Sequence, residues 1–368
     1  MRILAYRAAL SAAITPGAVV LDLGTGTGVM AMLACRYGAR HVYAIERSEA
    51  IQVARETAAA NGLKDKITFI HGDSTKVNLP ETVDLIIEDL RGALPWLGTH
   101  IPDVVDARRR FLRPGGRIIS CRDTAYCAVV EADSLYENLT RPWRNGLDGL
   151  DLSTAIRYVT NSCHRLKAGD GQLLTEGHAW ATIEYATVES ARASGSASLN
   201  VTRAGTGHGL ALWFDGELVP GVTISNAPGQ PETNYRPFFL PWPEPVRLDE
   251  SSRVGVKLRA DHIGGDYVYS WESRIHGSGA LAAQGFHFRQ SEFLGTPLTR
   301  ESLAKHAASH KPVASAEGRA TNYVLDRMNG SAPLTEIATG LAAEYPGRFS
   351  SVHAALDFAA NLSSQYGD

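Results

Sequence analysis

Cysteine is scarce in this 368-residue chain. There are four, Cys35, Cys121, Cys127 and Cys163, with no CxxC pair and no cysteine–histidine cluster at zinc spacing. That excludes a disulfide-stapled scaffold and a zinc module. The four read as buried thiols of a reducing, cytoplasmic compartment, and no metal is expected. A dominant charge is also lacking: 36 basic against 39 acidic side chains leave a net charge of −3. Non-specific nucleic-acid binding needs a basic footprint, so nucleic acid is not an expected partner. No apolar run approaches the ~18–20 residues of a membrane span, so no membrane partner is expected either. The opening MRILAYRAALSAAITPG carries Arg7 within its apolar run and reads as a helix rather than a signal peptide. Internal repeats and low-complexity linkers are missing. With 44% hydrophobic and 20% charged residues, what remains is a globular protein of two or three domains.

Three regions follow along the chain. Residues 1–140 alternate β-branched runs (AVVLDLG, HVYAIE, ITFIHGD, VDLIIEDL, GRIISCR) with helical patterns (GVMAMLACRYG, SEAIQVARETAAANG, IPDVVDARRRFLRPGG). Such alternation predicts an α/β, Rossmann-like parallel sheet with helices on both faces. Residues 141–297 carry period-two runs such as AWATIEYATVE, GLALWFDGELV, SRVGVKLRAD and DYVYSWESRI, separated by Gly, Pro and Asn. These predict an antiparallel β-domain, a sandwich or barrel. Residues 298–368 are again helical, with three or four short helices. PLTEIATGL offers a helix start, with Pro and Thr ahead of an acid.

The chemistry is signalled first by VLDLGTGTG, which sets Gly24, Gly26 and Gly28 between the first strand and the first helix. Such glycines admit a ligand to the backbone beside free helix N–H groups. The spacing is GxGxG, not the dinucleotide GxGxxG. Asp22 precedes the loop. Glu46 ends the second strand about twenty residues on, where an acid can accept both hydroxyls of a ribose. Asp73 or Ser74, at the end of the third strand, can reach an adenine. This order resembles the class I S-adenosylmethionine-dependent methyltransferases.

The resemblance narrows further. VLDLGTGTGVMAMLACRYGARHVYAIERS, ANGLKDKITFIHGDSTKVNLPETVDLIIED and ARRRFLRPGGRIIS are similar to the methyltransferase core of the protein arginine methyltransferases. LDGLDLS resembles that family's dimerisation arm, placed near 146–168. GLALWFDGEL and FFLPWPEPVRL resemble strands of its C-terminal barrel. The resemblance covers residues 1 to about 297 and implies S-adenosyl-L-methionine as cofactor and a homodimer. It places Arg2 against the cofactor's carboxylate, Asp22 and Gly24 along the methionine and Glu46 on the ribose. The family's adenine-contacting acid falls on Thr75, leaving that task to Asp73 or Ser74. It also implies a chain beginning inside the family's cofactor-covering N-terminal segment.

The stretch IIEDLRGALPWLG falls on the family's loop of two glutamates that grip a guanidinium. The first falls on Asp89, with Glu88 beside it, and the second on Gly98, which has no side chain. The family's Thr-His-Trp triplet falls on Thr233, Asn234 and Tyr235. A guanidinium asks for bidentate carboxylates, so the loss of one implies an acceptor other than arginine. Glu88, Asp89, Asn234 and Tyr235 are the expected catalytic residues, with Glu88 also beside the cofactor. Strand geometry sends Glu88 and Asp89 to opposite faces, so only one should be essential. The structural alternative pairs one of them with Arg91. His178, His208 and His262 read as barrel or loop residues.

The expected activity is S-adenosylmethionine-dependent N-methylation of a peptide or protein, including a ribosomally made natural-product precursor. The alternatives are a true arginine methyltransferase and a non-catalytic cofactor-binding scaffold. The peptide reading draws on the C-terminal stretch 321–367, which is similar to the helical part of PqqD-like leader-peptide-binding domains. A plain helical docking domain is its alternative.

Overall fold

The computed structural model describes residues 2–231, 233–277 and 285–367. Residue contacts divide the chain into two units, Met1–Pro297 and Leu298–Asp368.

The first unit opens with helix α1, Arg2–Ala13, whose Tyr6, Ala9, Leu10 and Ala13 recur at helical spacing and are buried. Five strands follow: β1 Val19–Leu23, β2 His41–Glu46, β3 Ile67–His71, β4 Val83–Glu88 and β5 Leu112–Ile119. They form a parallel sheet in the order β3-β2-β1-β4-β5. Helices α2 Val29–Arg36, α3 Ala50–Ala60 and α4 His100–Phe111 make the crossovers. Every residue of β1 is buried, as expected of a strand covered on both faces. The chain order reverses between β1 and β4, so their carboxyl ends, Leu23 and Glu88, flank the crevice where such sheets bind ligands.

The expected helix through IPDVVDARRRFLRPGG stops early. Phe111 is its last residue, and LRPGG already belongs to β5. The boundary drawn at residue 140 also falls late. Arg122–Glu131 is a strand of the antiparallel part, paired with both Gly205–Val219 and His178–Glu184.

That antiparallel part consists of two sheets. One runs along Arg122–Glu131, Gly205–Val219 and Phe238–Leu248. The other runs along Ala193–Asn200, Arg253–Ile263, Asp266–His276 and Phe286–Ser291. Alternation is clean: Val254, Val256, Leu258 and Ala260 face inward, with more exposed residues between them. Both sheets send side chains into one core, where Trp242 and Phe214 join Leu212 and Trp271.

In the second unit, helices Ala316–Leu325, Leu334–Glu344 and Val352–Tyr366 pack around Ala320, Val324, Ile337, Leu341 and Ala359. Ser315 and Ser351 cap two of them by accepting hydrogen bonds from the N–H groups of Gly318 and Ala354. Pro333 stands immediately before the middle helix. No strand occurs among the described residues of this unit.

Candidate active site

The crevice beyond β1, β2 and β4 contains a cavity of about 260 Å³. Leu23, Gly24, Glu46, Ser74, Leu90 and His100 are among the residues that line it. Gly24, Gly26 and Gly28 all have positive φ, which suits glycine. A Cβ on Gly24 would stand 2.4 Å from the Leu90 side chain, so the loop closes against the wall only because that atom is missing.

Glu46 ties this loop to β2. One carboxylate oxygen accepts the N–H of Gly26 at 2.9 Å, the other that of Ser48 at 2.9 Å. Burial opposes its charge, but these hydrogen bonds prevail and lower its pKa. Both oxygens keep a lone pair for the two hydroxyls of a ribose. Asp22 lies beneath the loop, 3% exposed, and accepts a hydrogen bond from the Thr25 hydroxyl at 2.5 Å. Burial pushes its pKa up to about 6. Asp22 therefore braces the loop and does not line the cavity. Of the adenine candidates, Ser74 lines the cavity, whereas Asp73 turns back to accept the N–H and hydroxyl of Thr75.

Glu88 and Asp89 part company at the end of β4. Glu88 is fully buried and receives Arg91 Nη2 at 2.7 Å, His100 Nε2 at 2.8 Å and the Ser120 N–H at 3.3 Å. Arg91 Nε lies 3.0 Å from Asp123, which also accepts the Tyr185 hydroxyl at 2.6 Å. Burial would raise the Glu88 pKa, but Arg91 and His100 outweigh it and hold it at about 2. His100 Nδ1 faces the Pro95 carbonyl at 2.7 Å, so both ring nitrogens have oxygen partners. The expectation of Glu88 as a catalytic or cofactor-contacting acid is corrected here. Its carboxylate is fully buried and consumed by an internal ion network.

Asp89 remains. Its Oδ2 accepts Arg2 Nη1 at 2.9 Å, and its Oδ1 accepts the hydroxyls of Tyr235 and, at 3.1 Å, Tyr6. Arg2 also donates to the Tyr235 hydroxyl at 3.0 Å, with its guanidinium carbon 5.5 Å from that ring's centroid. Burial and the Asp89 charge push the Tyr235 pKa well up, so its hydroxyl is a proton donor at neutral pH. Tyr6 spans both acids, donating to the Glu88 carbonyl at 2.7 Å as well. Arg2, expected against the cofactor carboxylate, is paired with Asp89 instead.

Asn234 is corrected as well. It is exposed and lines a separate surface cavity with Arg165 and Arg236, while its neighbour Tyr235 points inward. Gly98 lines the main cavity at φ +50, and its N–H donates to Asp266. The sequence reading missed Tyr6, His100 and Asp123. No local spacing marks them, since each meets its partner across the fold.

Residues 20–116 match the family described as Methyltransferase domain. The chain is 29% identical to protein arginine N-methyltransferase 6 of Xenopus laevis, over 74% of this chain and 84% of that protein. It is 31% identical to the probable protein arginine N-methyltransferase 6 of Arabidopsis thaliana, over 59% of this chain. That match spans only 51% of the Arabidopsis relative's length. An arginine N(omega)-methyltransferase of Streptomyces achromogenes is 27% identical over 69% of this chain and 72% of that protein. Among solved structures, the Trypanosoma brucei PRMT1 enzyme–prozyme heterotetrameric complex with AdoHcy superposes with a TM-score of 0.72. It is 22% identical and covers 79% of this chain and 94% of that one, which speaks for the fold.

Fold and cofactor cavity define a class I methyltransferase with S-adenosylmethionine as its cofactor. Within that class the chain is similar in sequence to protein arginine methyltransferases and shares their fold.

Proposed function

We propose that the protein is an S-adenosylmethionine-dependent N-methyltransferase acting on an arginine guanidinium of a protein or peptide. The observation that carries this is the Asp89–Tyr235 pair. Carboxylate, hydroxyl and ring face together hold a guanidinium, that of Arg2. The named relatives act, by their names, on arginine, which puts this reading ahead of the expected amine-bearing or natural-product precursor.

S-adenosylmethionine, when bound, supplies an electrophilic methyl on sulfonium. Glu46 and the glycine loop would hold its ribose and methionine side, and Ser74 would lie toward its adenine. Asp89 would accept N–H groups of the acceptor and offset its charge, while Tyr235 would fix its orientation. The enclosing walls Leu23, Leu90 and Leu97 would keep water from the reacting atoms.

An amine nitrogen is the second reading, favoured by Gly98, which offers no second carboxylate. Methyl transfer from labelled cofactor to an arginine peptide and to its lysine counterpart decides between them. Arginine product carries the first reading; lysine product alone would overturn it.

The proposal includes a homodimer. Leu147 and Leu150, in the segment resembling the family's arm, are 65% and 64% exposed. Replacing both with Asp should turn dimers into monomers in light scattering, and a wild type monomeric at micromolar concentration would refute it. A cytoplasmic location also belongs to the proposal, supported by four free cysteines. Capture of a peptide by the helical unit is a further part, supported by its three-helix packing alone.

A further inference from the structure

Beside the Asp89–Tyr235 pair lie three cavities that share the loop around Thr233. One, of about 160 Å³, reaches Arg2 and Tyr235. A second, of about 50 Å³, runs along Tyr235 to Lys167 and Arg236. The third, of about 530 Å³, opens outward between Arg165 and Arg236. Among the described residues, their linings contribute the cationic side chains of Arg165 and Lys167, while Arg2 is already offset by Asp89. The positions are built rather than scattered. Arg165 donates to the Arg236 carbonyl at 3.1 Å and lies 4.8 Å from the Phe238 ring centroid, which aims it at the third cavity. No carboxylate among the described residues pairs with the Arg165 or Lys167 side chain.

A cationic mouth beside the Asp89–Tyr235 pair repels an arginine-rich segment and attracts an acceptor bearing an anion near its reactive nitrogen. We propose that Arg165, with Lys167, selects acceptors that carry a carboxylate beside the reactive group. The carboxylate is either the α-carboxylate of an amino acid or an acidic side chain next to the acceptor residue. Asp89 takes the cationic head and the arginine mouth takes the anionic tail. This rests on the guanidinium reading above, and the test keeps the two apart.

The test compares N-acetylarginine with its amide, and a Glu-Arg-Glu peptide with Lys-Arg-Lys, as acceptors for wild type, Arg165→Gln and Arg165→Glu. Each pair is measured by kcat/KM and by calorimetric binding in the presence of S-adenosylhomocysteine. The acid member should be preferred about tenfold, as one charge-assisted contact provides. The preference should fall below about twofold in Arg165→Gln, reverse in Arg165→Glu, and shrink with salt. Arg165 is exposed, so both variants should fold, and thermal melts check this. The two acceptor pairs show whether free or peptide carboxylate is the source. Equal or reversed preference in wild type, or a preference that survives Arg165→Gln, overturns the proposal. Preferential binding without any methyl transfer to arginine leaves the anion site standing and removes the guanidinium activity. Methyl transfer without preference does the reverse. Absence of both binding and transfer overturns both.

Discussion

Glu88 and Asp89 are neighbours in the chain and opposites in environment. Glu88 is sealed against Arg91 and His100, while Asp89 faces Arg2 and Tyr235. Glu88 is the last residue of β4 and Asp89 the first beyond it, so Glu88 keeps the inward direction of the strand while Asp89 turns with the loop that follows. The two acids should fail differently. Asp89→Asn should fold normally and lose methyl transfer by about a hundredfold or more, as when one partner of a charge-assisted pair is truncated. Glu88→Gln leaves Arg91 with less compensation and should lose roughly 3–5 kcal/mol of stability. Urea unfolding and turnover, measured on both variants, check this. A stable Glu88→Gln that is catalytically dead would reverse the assignment.

Acid should expose the same network. The Glu88 pKa is lowered from an ordinary 4.5 to about 2. Between those values the unfolded chain binds the extra proton, so stability rises with pH. The contribution is fully present above about pH 4.5 and lost as pH falls through about 2. The raised Asp22 pKa has the opposite sign: its folded form holds the proton up to about 6, so its contribution falls as pH rises from about 4 to 6. Between pH 6 and pH 3, wild type should lose about 2 kcal/mol more than Glu88→Gln does. Equal losses in the two proteins would remove Glu88 from the acid response.

Glu46 is the acid at the cavity whose two oxygens are both anchored to loop N–H groups with lone pairs to spare. Hydrogen bonds to a charged acceptor contribute roughly 1.5–3 kcal/mol. Glu46→Ala should therefore weaken S-adenosylmethionine binding about ten- to a hundredfold by calorimetry. Unchanged affinity in a folded variant would take Glu46 out of the site.

What the sequence made legible follows the range of the interactions. The glycine loop and Glu46 were readable because strand, turn and helix succeed each other within thirty residues. The parallel sheet was readable from the alternation of strand and helix patterns. For Glu88 the alternative of pairing with Arg91 is the one the structure shows, whereas His100, which starts the next helix, and Asp123, from the antiparallel sheet, complete the network at spacings that form no local pattern. Asn234 was misread because a resemblance fixes a position in a triplet, not the direction of its side chain. Leu112 was assigned to a helix because Pro-Gly-Gly reads as a stop after it, whereas pairing with β4 claims the segment for the sheet.

On the proposed reading the acceptor site has one carboxylate, Asp89, with Gly98 standing where the resemblance expects the second. The position tests whether that vacancy limits arginine transfer. A Cβ there meets nothing within 4 Å, so a side chain has room. The φ of +50 is left-handed, which costs a non-glycine residue roughly 1–2 kcal/mol. The Gly98 N–H bond to Asp266 uses backbone alone and survives substitution. Gly98→Glu should therefore fold with slightly lower stability. Its carboxylate would stand at the rim of the cofactor cavity, supplying a second hydrogen-bond acceptor for a guanidinium. Turnover of arginine peptides should rise about tenfold, on the scale of one added charge-assisted bond. Gly98→Gln, equal in length but uncharged, should give little of that gain. Equal turnover in wild type, Gly98→Glu and Gly98→Gln would mean that Asp89 and Tyr235 orient the acceptor unaided.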